Sequence, residues 1–99
     1  MTKNSAMPYY VYITTNPAKT VLYIGVTNSL PDRMAQHYAN RGMASTFAGR
    51  YFCYNLIYFE EYTESKIAIA REKELKGWTR VKKEVLIAAE NSEWIFLET

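Results

Sequence analysis

The stretch VLYIGVTNSLPDRMAQHY, residues 21–38, decides the fold of this chain. It begins with a β-rich run that stops at Gly25, and polar residues typical of a turn follow. Asn28 or Ser29 is suited to cap a helix, with Pro31 in its first turn. The stretch therefore predicts a strand, a turn and a helix in immediate succession.

Runs typical of strands lie on both sides of this helix. YYVYIT at 9–14 and TVLYIG at 20–25 are separated by the turn-forming NPAK, which predicts an antiparallel hairpin. A polar loop at 42–50 precedes a third strand, YNLIYFEEY at 54–62, and two further helices follow, the first of them capped by Thr63. The order β-β-α-β-α-α predicts an α+β fold in which helices flank a three-stranded antiparallel sheet.

Length and composition are those of a single domain. We expect residues 1–7 to form a disordered leader and residues 8–99 to form one domain, whose 48% hydrophobic content allows a packed core. No apolar run approaches the roughly 20 residues that cross a bilayer. Cys53 is the single cysteine, so the chain has neither an internal disulfide nor a four-ligand zinc site of Cys and His. A cytoplasmic location is expected.

Positive charge is concentrated late in the chain. The net charge is only +2, but the segment 71–86 holds six of the twelve Lys and Arg residues. A local basic stripe can bind phosphates by counterion release, although such residues are as often the solvated faces of helices. The candidate nucleic-acid contacts are Arg33, Lys73, Lys76, Arg80, Lys82 and Lys83.

Two pairs of side chains could carry chemistry. Arg33 and His37 are four residues apart and share one helical face, where a guanidinium can bind phosphate and an imidazole can exchange a proton. Tyr12 and Tyr23 lie on neighbouring strands of the predicted hairpin, where two phenols can order a water molecule. A solvated helix face and ordinary strand packing are the simpler interpretations of the same residues.

A carboxylate on the helix ESKIAIAREKELKGW, residues 64–78, completes the set. The apolar centre of this helix is predicted near Ile67 and Leu75, with Glu72 and Glu74 at opposite edges, so periodicity does not choose between the two acids. A carboxylate at such a border can hold Mg²⁺ together with water, or it can simply pair with a neighbouring base. The combined inventory suits metal-assisted phosphodiester hydrolysis.

The residues in this order resemble the GIY-YIG endonuclease family. YVY at 10–12 and YIG at 23–25 resemble its paired signature, Arg33 and His37 follow at a similar spacing, and REKELK at 71–76 resembles its carboxylate helix. The resemblance covers roughly residues 8–90. It is strongest to the small stand-alone bacterial members, which are similar to the amino-terminal domain of a bacterial excinuclease.

The resemblance implies a role for each matching residue. Tyr12 would be the general base, Tyr23 would help to order the water, and Arg33 would contact the scissile phosphate. His37 would assist, and Glu72 rather than Glu74 would bind a single Mg²⁺ or Mn²⁺.

The sequence departs from the family pattern at two positions beside these motifs. Tyr10 stands where the family name has glycine, a substitution common in the small members. Val26 stands where excinuclease-like members have lysine. The departure at Val26 leaves open how closely the excinuclease pattern applies.

The expected function is therefore that of a metal-dependent DNA endonuclease in repair or DNA processing, acting with a DNA-binding or repair partner. Three features keep a non-catalytic nucleic-acid-binding or accessory module open: the missing lysine, the basic segment 71–83, and Asn91, which lies further from Glu72 than the late asparagine of many family members. A protein-interaction module that uses the aromatic third strand and the Trp-bearing tail is a third interpretation.

Overall fold

The chain forms one three-stranded sheet and four helices. A computed structural model describes residues 7–99, so the predicted leader lies outside the described residues except for Met7, which is exposed. The elements in chain order are β1 Tyr9–Thr15, β2 Leu22–Thr27, α1 Leu30–Ala39, α2 Phe47–Arg50, β3 Asn55–Tyr62, α3 Ser65–Lys76 and α4 Arg80–Glu90. None of the helices within residues 7–99 is long and apolar enough to cross a membrane.

Strand β1 lies in the middle of the sheet. The strand order is β2-β1-β3, and both pairings are antiparallel. The predicted α+β fold with a three-stranded antiparallel sheet is confirmed. Because β1 has a neighbour on each side and helices cover both faces, residues 11–15 are all buried.

The two faces of the sheet pack on different helices. Val11 and Ile13 point to the face covered by α3 and α4, where Leu75 and Ile87 are fully buried. Tyr12 points to the opposite face, among residues contributed by α1. Because successive side chains of a strand point to opposite faces, Val11 and Ile13 lie in the larger core and Tyr12 lies on the other face of the sheet.

The structure corrects the predicted loop at 42–50. Its second half forms α2, a single helical turn with Thr46 as the N-cap, and the Thr46 hydroxyl accepts a hydrogen bond from Gly49 N at 3.0 Å. The buried Ala48 and Gly49 fasten this turn to the body of the protein. A four-residue helix offers too short an apolar period to be recognised from sequence.

Helix α3 differs from its prediction in two details. Its N-cap is Glu64 rather than Thr63, and no side chain caps it. Ile67, predicted at the apolar centre, is 49% exposed, while Ala68 and Leu75 are fully buried. The small Ala68 lets α3 approach the sheet closely, so the buried face is rotated from the one that the larger side chains indicated.

Candidate active site on the tyrosine face

Tyr12 reaches across the sheet to α1. Its side chain is buried, and its hydroxyl lies 2.8 Å from His37 Nε2. Ser29, one of the two predicted caps, begins α1 directly after β2, and its hydroxyl accepts a hydrogen bond from Asp32 N at 3.4 Å. This short connection holds α1 against the sheet and brings its second turn over Tyr12.

Gly25 makes room for the Tyr12 phenol. The two residues are direct partners in the register of β1 and β2. A Cβ atom at position 25 would lie 2.6 Å from Tyr12 Cζ and still closer to the hydroxyl, which no side chain could tolerate without displacing the ring. The glycine of the YIG motif is therefore required by the tyrosine opposite it, and the backbone at this position is otherwise ordinary.

Tyr23 lies diagonally across from Tyr12 on the same face. The two ring centroids are 6.3 Å apart, and the Tyr23 ring also meets His37 edge-on at 5.4 Å. Phe47 of α2 stacks on Tyr23 with a centroid distance of 6.2 Å and an interplanar angle of 25°. No signal in the sequence singled out Phe47, because its place beside Tyr23 depends on the unpredicted helix α2.

Arg33 borders a small cavity beside these rings. It precedes His37 by one turn of α1, as the spacing predicted. The cavity has a volume of about 200 Å³ and is lined by Tyr23, Arg33, Gln36, His37, Asn40, Thr46, Phe47 and Ala48. Within residues 7–99 the Arg33 guanidinium forms no ion pair. The Arg33 guanidinium, which has no carboxylate partner among these residues, thus borders a polar cavity.

The structure distinguishes the two candidate carboxylates. The Glu72 side chain is 14% exposed and pairs with Lys76 Nζ at 3.0 Å. Glu74 is 55% exposed and pairs with Arg71 at 3.0 Å, and Arg71 also binds Glu60 of β3. The Lys76 partner of Glu72 lies instead beside the Tyr23 ring, and the charge of Glu72 makes a small contribution to the raised pKa of Tyr12. These contacts favour Glu72 over Glu74 as the carboxylate of the cluster.

Burial and the neighbouring charges fix the protonation states. Burial raises the pKa of Tyr12 to about 12, with smaller upward contributions from Tyr23 and Glu72 and a partial offset from Arg33. Burial also lowers the pKa of His37 below its usual value, and the positive charge of Arg33 adds to this effect. At neutral pH the phenol keeps its proton and the imidazole is neutral, so we assign Tyr12 as the donor and His37 Nε2 as the acceptor.

Three of the six basic residues predicted to contact nucleic acid border this cluster. Arg33 lines the cavity already described. Lys76 Nζ lies 5.9 Å from the centre of the Tyr23 ring. Lys83 and Lys76 share a second, shallower cavity of about 260 Å³ with Tyr23 and Phe47.

The other three lie elsewhere. Arg80 pairs with Glu84 at 2.9 Å, Lys82 Nζ lies 4.4 Å above the Trp78 ring, and Lys73 is exposed outside both cavities. The structure therefore divides the six predicted contacts into three beside the site and three away from it, and of the latter Arg80 and Lys82 have other partners.

Glu72 is the one carboxylate of the cluster. No group of three or more His, Cys, Asp and Glu side chains within residues 7–99 is arranged to hold a metal ion. Mg²⁺ nevertheless needs only one or two protein carboxylates when water and substrate phosphate complete its shell. The Lys76 ammonium at 3.0 Å shows that this half-buried carboxylate accommodates a positive charge. The residues thus fit a single divalent ion held mainly by Glu72 and substrate.

The fold and this cluster define the class of GIY-YIG domains. A family model described as the GIY-YIG catalytic domain matches residues 8–84. The chain is 36% identical over 85 residues to a UPF0213 protein of Natronomonas pharaonis, which covers 86% of this chain and 96% of that one. It is also 36% identical over 78 residues to a UPF0213 protein of Haloquadratum walsbyi, covering 79% and 84% of the two chains.

A solved structure shares the architecture. The solution NMR structure of a UPF0213 protein from Bacillus halodurans has a TM-score of 0.56 and 24% sequence identity, and the match covers 89% of this chain and 90% of the other. This likeness concerns the fold alone. The chain belongs to the GIY-YIG family, and within that family it is similar to the UPF0213 proteins.

Proposed function

We propose that this protein is a metal-dependent endonuclease that hydrolyses phosphodiester bonds of DNA. The observation that carries the proposal is the hydrogen bond from Tyr12 to His37 Nε2, beside a cavity that Arg33 enters without a carboxylate partner. A proton path and a phosphate-binding cation are the two elements that hydrolysis of a phosphodiester most needs from side chains. Membership of a family of nuclease-type domains supports the same function.

Tyr12 and His37 would act together on the attacking water. A phenol with a pKa of about 12 is a weak proton donor and is not ionised at neutral pH, so Tyr12 alone is poorly placed to be the base. When the water gives its proton to the Tyr12 oxygen, Tyr12 can pass its own proton to the neutral His37 Nε2. His37 is thus the final proton acceptor, and Tyr12 positions the water and relays the proton.

Arg33 and Tyr23 would hold the phosphate and the water in place. The Arg33 fork matches two phosphate oxygens and offsets the charge that develops on them during attack. Tyr23 closes the same cavity with its ring against His37 and limits the position of a water molecule between the two phenols.

Glu72 would hold a single Mg²⁺ or Mn²⁺. GIY-YIG nucleases generally use a divalent metal, and a metal bound there supplies charge stabilisation to the leaving oxygen. The contribution of the chain is the half-buried carboxylate, which Lys76 currently neutralises. With a metal on Glu72, Lys76 would release the carboxylate and its ammonium would be available to a phosphate.

The cellular setting is part of the proposal. DNA repair or another DNA-processing reaction in the cytoplasm would fit a chain whose single cysteine, Cys53, is a buried free thiol. A net charge of +2 supplies little general attraction for DNA, so a DNA-binding or repair partner would increase affinity.

The Glu72–Lys76 ion pair also favours a second candidate, an accessory module that binds DNA without cleaving it. In such a protein the lysine would permanently neutralise the carboxylate. DNA binding would then depend on salt and would not change when Glu72 is replaced.

Cleavage assays with matched variants test the proposal. Plasmid, branched and single-stranded DNA are incubated with the protein and Mg²⁺ or Mn²⁺, beside Glu72→Gln and Glu74→Gln. We expect metal-dependent cleavage that Glu72→Gln reduces by at least about 100-fold, because one metal-binding carboxylate is lost, and that Glu74→Gln leaves unchanged. Absence of cleavage, or equal loss in both variants, would favour the accessory module.

A further inference from the structure

An exposed aromatic surface adjoins the proposed phosphate cavity. We define it as the stacking surface, formed by Phe47 and Tyr51 of the α2 region. Phe47 is 50% exposed and Tyr51 is 43% exposed, although their rings lie only 4.8 Å apart. Phe47 also stacks on Tyr23, which restricts its ring, and about half of its side chain stays exposed.

The segment of the sequence that carries this surface contains no acidic residue. Residues 33–59 contain no Asp or Glu, but they include Arg33, Arg41 and Arg50. Arg50 donates to Ala44 O at 3.1 Å, which holds its guanidinium over the loop that leads into α2. Arg41 lies 3.8 Å from the Tyr38 ring centre at the end of α1. Fixed aromatic rings within an acid-free, arginine-bearing segment complement a polyanion that carries flat rings.

We propose that the stacking surface binds an unpaired base of single-stranded DNA, so that the phosphate beside that base enters the Arg33 cavity. This inference rests on the proposed function and adds the form of the substrate to it. Phe47 is the residue that joins the two parts, because it lines the cavity and is also half exposed beside Tyr51.

The geometry favours an unpaired base over duplex DNA. Bases inside a duplex are covered on both faces by their neighbours, so they offer no face to an external ring. An unstacked base offers a whole face, and stacking on an aromatic side chain stabilises such complexes by about 1–3 kcal/mol per base. A surface made for the duplex backbone would instead need mainly Lys and Arg, whereas here the exposed Phe47 lines the cavity together with Arg33, and the exposed Tyr51 packs on Phe47.

Binding measurements without metal test the inference separately from cleavage. Fluorescein-labelled oligo-dT of 12 nucleotides, the same oligomer with abasic sites, and a duplex of equal length are titrated with protein in EDTA by fluorescence anisotropy. The variants are Phe47→Leu, which keeps an apolar side chain without a ring, and Phe47→Trp, which keeps a ring. Phe59→Leu is the matched control, since Phe59 is 44% exposed on β3, away from the cavity.

We expect oligo-dT to bind more tightly than the duplex. Phe47→Leu should weaken oligo-dT binding about tenfold, within the range of one stacked base, while Phe47→Trp and Phe59→Leu retain it. Abasic sites should weaken binding to the native protein by a similar factor and should have no further effect on Phe47→Leu. Thermal unfolding of each variant verifies that the proteins are folded at the assay temperature.

Several outcomes would overturn the inference. The first is equal affinity of the native protein for the duplex and for oligo-dT. The second is an affinity of Phe47→Leu for oligo-dT that equals that of the native protein. The third is a loss of oligo-dT affinity in Phe47→Trp as large as that in Phe47→Leu. A concentration-dependent dimer that Phe47→Leu abolishes, with DNA binding unaffected, would assign the surface to a second copy of the chain.

Parallel cleavage assays separate this result from the proposed function. If the protein cleaves duplex DNA with metal and Phe47→Leu cleaves it equally well, the proposed nuclease function is supported and the proposed role of the stacking surface is contradicted. If oligo-dT binding depends on Phe47 but no DNA is cleaved, the proposed role of the stacking surface is supported and the proposed nuclease function is contradicted.

Discussion

Two clusters in this molecule use the same inventory of two tyrosines, one arginine and one glutamate, with different results. The first is the site cluster of Tyr12, Tyr23, Arg33 and Glu72 described above, to which His37 is added. The second, which we call the Glu60 cluster, joins the end of β3 to α3. Its members are Tyr58, Tyr62, Arg71 and Glu60.

The Glu60 cluster is closed. Both Glu60 oxygens accept hydrogen bonds, from the hydroxyls of Tyr58 and Tyr62 at 2.5 and 2.6 Å and from the Arg71 guanidinium at 2.9 Å on each side. Burial alone would raise the pKa of Glu60, but these donors outweigh it, so the pKa lies below its usual value. Each strong donor and acceptor has a protein partner, and the cluster holds α3 to the sheet.

The site cluster is open. Tyr12 has a protein partner in His37, but Arg33 faces a cavity, and Glu72 pairs only with the half-exposed Lys76. Residue types alone therefore do not define a site. Two features distinguish the proposed active site from a structural cluster of similar composition. Some of its polar groups lack a full set of hydrogen-bond or ion-pair partners within residues 7–99, and they lie next to a cavity that can admit a ligand.

Replacing Arg71 with Met should have the largest effect on stability. The substitution would leave the half-buried Glu60 carboxylate with only two neutral hydrogen-bond donors. We therefore expect the free energy of unfolding to fall by about 2–3 kcal/mol, which is somewhat less than the cost of breaking a fully buried ion pair. Urea unfolding measures it. In the control Arg80→Met, which breaks an exposed pair with Glu84, the loss should be under about 1 kcal/mol. Equal losses would show that the Glu60 cluster is not a structural clamp.

Gly25→Ala should disturb the site cluster with a smaller effect on stability. The added Cβ would overlap the Tyr12 phenol, and such overpacking costs about 1–3 kcal/mol. Displacement of the hydroxyl from His37 should reduce DNA cleavage much more than binding. Gly77→Ala is the control, because its Cβ would meet only ordinary contacts from 3.5 Å outward. Full cleavage by Gly25→Ala would contradict the placement of Tyr12.

The pH dependence of stability should show the smallest of the three effects. Because the pKa of His37 is lowered in the folded protein, the unfolded chain binds more protons between that value and the ordinary pKa of 6.5. Stability should therefore fall as the pH decreases below 6.5, and His37→Gln should flatten this part of the curve. Urea titrations between about pH 5 and 8 measure it, and a native protein whose stability rises on acidification in this range would contradict the burial of His37.

The sequence predicted the sheet and every helix except α2, because alternation, caps and motif spacing are local properties. It placed Arg33 and His37 on one helical face, and the structure has them there. The choice between Glu72 and Glu74 needed the structure, since the buried face of α3 is set by the small Ala68 rather than by Ile67. The roles of these residues stay predictions.

Other features could not be read from the sequence. Phe47 lies beside Tyr23 only because the one-turn helix α2 folds back onto α1, and four residues carry too little periodicity to reveal it. The Glu60 cluster depends on contacts between β3 and α3, in which Glu60 and Arg71 are 11 residues apart in the sequence. Nothing local in either segment shows that Arg71 pairs with two carboxylates, whereas Arg33 has no carboxylate partner among residues 7–99.

Substituting one tyrosine from each cluster is the sharpest test of where the active site lies. Tyr12→Phe and Tyr58→Phe each remove one hydroxyl, and the single-turnover rate of DNA cleavage is measured at a temperature where both variants are folded. We expect Tyr12→Phe to lower the rate by at least about 100-fold, as loss of a proton-transfer group does, and to lose about 1 kcal/mol of stability with its hydrogen bond. Tyr58→Phe should keep the native rate and lose about 1–2 kcal/mol of stability. Equal rates in the two variants, or a slower Tyr58→Phe, would contradict the assignment of the active site to Tyr12.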